Sequence, residues 1–273
     1  MGKLKFDEFF FENDKNYHAD VYWNAFDTDK KAAEDKYDKH MFCPLCKTAP
    51  LTVIKGNERK YFKVINSDME KHSLECSYRR DEASRKETDA FYADLDKSDI
   101  ENRLVSCMNR MLRKQKVDNN IEKTRNAFDK MIKDRSFLDI ETTMMEIKYL
   151  PHKRLDSKLS EEDVGIIKIY YGECLLSKKI HIFEDGNKMC FIKVKNSNNY
   201  YRCDISISPY VYKYLEENLA EIPEGNESKL YYLCFAGLME LEQVNGKNEK
   251  VFNNYKCKLK DSRLLRIEDC NLL

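Results

Sequence analysis

Apolar positions recur along this chain in two rhythms, one helical and one with a period of two. No glycine occurs between residues 57 and 164, and no proline between 51 and 150. A long stretch without breakers, rich in Lys, Arg, Glu and Met, favours helix. Within it Ile100, Leu104, Met108, Met111 and Leu112 recur at three- and four-residue steps and predict one apolar stripe. Ser98 followed by Glu101 spells a capping box at its start. Arg110, Arg113, Lys114 and Lys116 gather towards its end, where the helix dipole favours cations. A second helical run is predicted over 120–133, with Ile121, Phe128, Met131 and Ile132 inward, and residues 150–160, containing Pro151, read as a linker.

After Glu162 the rhythm changes to alternation. It predicts strands over 165–176, 188–195 and 200–206, a helix over 209–221 with Pro209 in its first turn, and strands over 230–241 and 255–267. Three strands, a helix and two strands is the element order of the OB-fold, a five-stranded barrel, which this part of the chain resembles by pattern. Residues 1–40 are acidic and aromatic, and their pattern supports neither helix nor strand over the other.

Composition narrows the function classes. The chain has 273 residues, with 48 Lys and Arg balanced by 48 Asp and Glu, so no bulk basic field marks it as a nucleic-acid binder. A nucleic-acid site would have to arise from local clustering. No apolar run is long enough to cross a bilayer, and acids stand where a secretory signal would be apolar, so no membrane role and a cytoplasmic setting are expected. In that setting the ten cysteines read as reduced thiols or metal ligands. None of the glycines forms a phosphate-loop or dinucleotide spacing.

Three of those cysteines carry the sharpest signal. Cys43-Pro44-Leu45-Cys46 places two thiols on one knuckle, and His72 with Cys76, four residues on, would share one face of a helix. Together they form a Cys3His set, the closed tetrahedral arrangement of structural zinc, with no position left for a reactive water. His40, three residues before Cys43, is an alternative ligand. Of the others, Cys107, Cys174, Cys190, Cys203, Cys234 and Cys257 mostly fall on apolar parity and read as small core residues.

Residues 40–80 resemble the N-terminal zinc-finger region of CoiA-like competence proteins and related bacterial proteins. The resemblance rests on CPLC, the Leu51–Gly56 run, the Tyr61-Phe62 pair and then His72, while the ending in His72 and Cys76 departs from that pattern. It implies a bound zinc ion, a bacterial source and a DNA-related setting.

The strand alternation points to a second site. Ile167, Ile169 and Tyr171, then Cys190, Ile192 and Val194, then Tyr201, Cys203 and Ile205 are expected to face the core. The opposite parity gathers Lys168, Tyr170, Phe191, Lys193, Lys195, Tyr200 and Arg202 on one outer face. Rings interleaved with cations suit single-stranded nucleic acid, because bases stack on rings while phosphates meet Lys and Arg. The same face would equally serve a protein–protein adaptor. Lys256, Lys258 and Lys260 share a parity on the last strand and either extend the patch or solvate an edge. A third reading is a magnesium-dependent nuclease in which Asp139 and Glu146 hold the metal and Lys148 positions the nucleophile.

The sequence therefore predicts an α+β protein with an N-terminal zinc-finger domain over 1–95, a helical connector over 96–155 and an OB-like domain over 160–270. Its expected role is non-enzymatic binding of nucleic acid, with single strands favoured.

Overall fold

The computed structural model describes residues 6, 8–12, 15–56, 60–64, 71–74, 76–80, 82–94, 97–116, 138–141, 147–245 and 251–270. The predicted helix over 120–133 lies outside them, as does Glu146. The protein is α+β, and it divides into two compact units that interleave along the chain. One comprises Met1–Ala83 and Ile121–Tyr149, the other Ser84–Asn120 and Leu150–Leu273.

In the first unit, β1 (Glu8–Phe11) pairs antiparallel with β2 (Asn16–His18) and with β3 (Met41–Phe42). Helices α1 (Ala19–Thr28) and α2 (Lys30–Tyr37) follow β2. Asp29 separates them because its carboxylate accepts from the Ala32 amide at 3.0 Å, starting α2 as an N-cap. Hairpin β4 (Thr52–Lys55) and β5 (Lys60–Lys63) pairs Val53 with Phe62. The aromatic residues that left 1–40 ambiguous form the core here. Phe9, Tyr22 and Phe62 are buried, the Tyr22 ring meets Phe62 edge-on with centroids 5.4 Å apart, and Trp23 stacks on Phe62 at 5.4 Å.

The second unit begins with α3 (Arg85–Asp94) and α4 (Lys97–Lys116). The predicted stripe is real, for Leu104, Met108 and Met111 are buried, but α4 is no connector: it packs on strands of the C-terminal sheet. The helix already includes Ser98, and Glu101 forms an ion pair with Arg266, so Glu101 is engaged away from the predicted capping box. Back in the first unit, β6 (Asp139–Glu141) and β7 (Ile147–Tyr149) form a hairpin. The expected linker over 150–160 also packs. Leu150, Leu155 and Leu159 are buried, and β8 (His152–Arg154) runs parallel to β9 (Ile167–Ile182).

β9 pairs antiparallel with β10 (Lys188–Asn196), and β10 with β11 (Tyr201–Ile207). Helix α5 (Pro209–Leu215) leads to β12 (Lys229–Asn245), β13 (Val251–Leu259) and β14 (Leu265–Asp269). β11 lies parallel to β13, β13 antiparallel to β12, and β12 pairs with β14 and again with β9. The pairings β9–β10–β11–β13–β12–β9 thus run in a closed cycle. Inside lie Tyr170, Leu176, Ile192, Ile205, Phe235 and Cys257 together with Leu215 and Leu219, which follow β11. Among the described residues, no helix is long and apolar enough to cross a membrane.

Lys178 stands on β9 at interior parity, and its buried ammonium donates to the Leu219 carbonyl at 2.6 Å and the Ala220 carbonyl at 3.1 Å. A buried ammonium needs acceptors, and the chain after α5 supplies them. Lys178→Met is expected to cost about 1–3 kcal/mol in urea unfolding, because the buried Leu219 carbonyl and the half-buried bond to Ala220 lose their donor. Unchanged stability would show that these bonds contribute nothing.

Candidate functional site

The knuckle is built by local hydrogen bonds. The Cys43 amide donates to the Ala49 carbonyl at 2.7 Å, and the Lys47 amide donates to the Cys43 carbonyl at 2.9 Å. Lys47 takes φ +59°, which turns the chain back after Cys46. Asn16 Nδ2 donates to the Pro44 carbonyl at 3.0 Å, tying the knuckle to β2. The second pair of ligands is held differently from the expected helix. His72 and Cys76 sit on an irregular segment in which the Cys76 amide donates to the Ser73 carbonyl at 3.0 Å, ahead of a short 3-10 turn over Ser77–Arg79.

Cys43, Cys46, His72 and Cys76 are all buried, and their ligand atoms lie within 4.8 Å of one another. Cys43 Sγ is 3.9 Å from Cys76 Sγ, and His72 Nδ1 is 3.3 Å from both Cys46 Sγ and Cys76 Sγ. Around a tetrahedral ion at ordinary bond lengths, sulfur–sulfur separations would be about 3.8 Å and sulfur–nitrogen about 3.6 Å. The set fits a metal ion. Its electrostatics agree: three thiols this close cannot all ionise without a cation between them. Burial and the neighbouring sulfurs push Cys43 well up. For Cys76 the Cys43 contact pulls down, but Cys46 and burial outweigh it and lift the thiol to about 12. Cys46 falls far below the usual thiol range because Cys43 and Cys76 donate to its sulfur, with help from His72 and Thr48. Thr48, which the sequence reading passed over, places its hydroxyl 3.1 Å from Cys46 Sγ. His40 is not part of the set; its ring pairs with Glu12.

The seven residues expected on one nucleic-acid face separate into two groups. Tyr170 is fully buried, its ring stacked on Phe235 at 5.0 Å and its hydroxyl donating to the Asp163 carbonyl at 3.1 Å. Lys168 is held by Asp163 at 2.8 Å, and Arg202 donates to the carbonyls of Leu155 at 2.9 Å and Asp156 at 2.7 Å. These three belong to the scaffold. The error lies in the parity of β9, where Ile169, Tyr170 and Tyr171 are all buried, so alternation carries no signal. On β10 and β11 the expected inward residues Cys190, Ile192, Val194, Cys203 and Ile205 are buried, while Tyr201 is only half-buried.

Phe191 and Lys193 do face outward on β10, with Lys195 partly covered and Tyr200, in the turn that follows, 66 % exposed. The register adds partners the sequence reading missed because it ended β9 at residue 176. Lys179 lies across from Phe191, and His181 across from Met189. His181 in turn packs edge-on against Phe183 at 4.6 Å. Asp204 lies across from Lys193 and reduces the local positive charge. Lys256 and Lys258 are paired with Glu242 and Glu240 on β12 and do not extend this band.

The hairpin β6–β7 sets Asp139 across from Tyr149 and Ile140 across from Lys148, so Asp139 and Lys148 occupy opposite faces. Asp139 is ion-paired with Arg80. No protein-family model and no curated protein sequence matches this chain.

Proposed function

We propose that the protein is a zinc-containing, non-enzymatic nucleic-acid-binding protein that favours single strands. The observation that carries this reading is the outward band of Phe191 and Lys193 on β10 with Lys179 across from Phe191 on β9, continued by exposed Tyr200 in the turn after β10. The closed cycle of strand pairing, with its parallel β11–β13 contact and a helix between β11 and β12, supports an OB-like barrel. In such barrels the second and third strands and the loop between the first and second meet oligonucleotides. Here those are β10, β11 and the turn after β9 that carries Phe183.

Zinc is the metal a buried Cys3His set favours, since tetrahedral thiolate and imidazole ligation with no open position suits structural zinc. Thiolate ligands also suit a cytoplasmic compartment that keeps thiols reduced. The resemblance of residues 40–80 to CoiA-like zinc-finger regions favours DNA as the nucleic acid and a bacterial setting.

Phe191→Ala should weaken binding of a fluorescein-labelled single-stranded oligonucleotide by about 1–3 kcal/mol without changing stability. Lys193→Ala should weaken all sequences alike and reduce the salt slope by about 0.7. Both are read by anisotropy titration across salt concentrations. Absence of binding at low salt, or binding with no salt slope, would overturn the reading and favour the adaptor.

A further inference from the structure

The Cys3His cluster is supported unequally on its two sides. His72 turns Nδ1 towards the sulfurs of Cys46 and Cys76, while its Nε2 is buried with no hydrogen-bond partner among the described residues. A ligating histidine usually takes its orientation from a carboxylate, carbonyl or water on that outer nitrogen. Without one, the ring depends on the backbone that carries it. The residue before it is tied to the knuckle, for the Lys71 carbonyl accepts from the Thr48 hydroxyl at 3.0 Å. The same hydroxyl lies 3.1 Å from Cys46 Sγ. Thr48 thus stands at the rim of the cluster, itself exposed, between one ligand and the neighbour of another. A hydroxyl carries one proton and donates to one of these acceptors at a time. The neutral sulfur of a thiol is a weak acceptor, whereas a thiolate draws a shorter, charge-assisted bond.

We propose that Thr48 is a positioning residue of this centre: its hydroxyl donates to the Lys71 carbonyl in the metal-free protein and swings to the Cys46 thiolate in the metal-bound one. The inference rests on the reading of Cys43, Cys46, His72 and Cys76 as a metal site. The proton stays on the hydroxyl throughout, and only its acceptor changes. In the metal-free protein the Lys71 bond keeps His72 near the knuckle, so the fourth ligand has less far to search. In the metal-bound protein the donated bond draws charge from Cys46, one of three sulfurs crowded together. Removing the hydroxyl loses both effects. Because Thr48 is exposed, water replaces part of the second bond, which sets the effect at the lower end of what outer hydrogen-bond partners contribute to metal affinity.

The test is zinc competition between a chromophoric chelator and the full chain purified under reducing conditions, with cobalt(II) as a spectroscopic probe of the same ligands. Thr48→Val keeps the shape, loses the hydroxyl and should weaken zinc binding about tenfold. Thr48→Ser keeps the hydroxyl and should bind zinc like the wild type. In the cobalt-loaded protein the thiolate-to-metal charge-transfer band should move to lower energy in Thr48→Val and stay in place in Thr48→Ser, because a donated hydrogen bond stabilises the sulfur lone pairs. A residue that only packs would not move that band. Thr48→Ala repeats both readings with a smaller side chain, and circular dichroism confirms that each variant is folded. Wild-type zinc affinity in folded Thr48→Val and Thr48→Ala, an unshifted band, or Thr48→Ser as weak as Thr48→Val would overturn the proposal and leave the metal centre standing. Variants that fail to fold at saturating zinc would also overturn it, since the residue would then serve the chain and not the ligands. A wild type that takes up neither zinc nor cobalt would overturn both the proposal and the centre beneath it.

Discussion

Stripping the metal with a strong chelator is expected to loosen the two ligand segments, residues 41–49 and 71–80, while the closed strand cycle of the second unit stays folded. The four ligands come from two segments, a knuckle and an irregular turn, that share no strand pairing among the described residues. A hydrogen bond links them, from the Thr48 hydroxyl to the Lys71 carbonyl at 3.0 Å, and a bound ion would tie them far more strongly. Its binding free energy, about 10–16 kcal/mol for structural zinc in small peptides, becomes local folding energy once the site is occupied. Cys76→Ser should therefore reduce metal content from one equivalent to near zero, by elemental analysis of protein purified under reducing conditions. Amide exchange should rise across both ligand segments and not in β10 or β11. Freshly reduced wild-type protein without metal, or a chelated protein with unchanged exchange over 41–80, would refute the centre. The neighbouring aromatic core limits the damage, because Phe9, Tyr22 and Phe62 pack without help from the ligands.

Tyr170→Ala is expected to destabilise the second unit by about 3–5 kcal/mol, the usual cost of deleting a buried ring. The ring lies at zero exposure against Phe235, in the middle of the strand cycle. Tyr170→Phe removes only the bond to the Asp163 carbonyl and should cost about 1 kcal/mol. Burial holds the hydroxyl far above the ordinary tyrosine range, so it stays protonated and donates throughout the physiological range. The pair of variants separates scaffold from contact surface. A base-stacking tyrosine would lose affinity and keep its stability, whereas this one should lose stability first, as read by urea unfolding. Two variants as stable as the wild type would place Tyr170 outside the core.

What could be read from the sequence depended on whether one strand or turn contained the whole signal. The ligand set was legible because its residue types are rare and its two spacings are short. The helix assumed for His72 and Cys76 was not needed, since a tight turn brings the same two side chains together. On β10, Cys190, Ile192 and Val194 alternate cleanly with Phe191 and Lys193, because one side of that strand faces the core and the other faces out. On β9 the rule failed. Its first half is covered on both sides, with Tyr170 stacked on Phe235 inside the strand cycle and Tyr171 stacked on His152 outside it. A strand covered on both faces has no polar side to mark its register. The stripe on α4 was legible as a stripe, but its partner was not, because β12 and β14 lie more than a hundred residues downstream. For the nuclease reading the sequence spacing says nothing of strand register, which sets Asp139 and Lys148 on opposite faces, while Glu146 lies outside the described residues.

The interleaving of the two units has a consequence for the newborn chain. When α4 leaves the ribosome, the strands that cover Leu104, Met108 and Met111 have not yet been made. At ordinary rates of synthesis the helix waits on the order of ten seconds for β12 to appear. Throughout that interval its apolar stripe is open to chaperones and to other nascent chains. The metal knuckle needs no such wait, since all four of its ligands have emerged by residue 76. Ion capture can therefore come first and anchor the amino-terminal end while the rest of the chain is still being assembled.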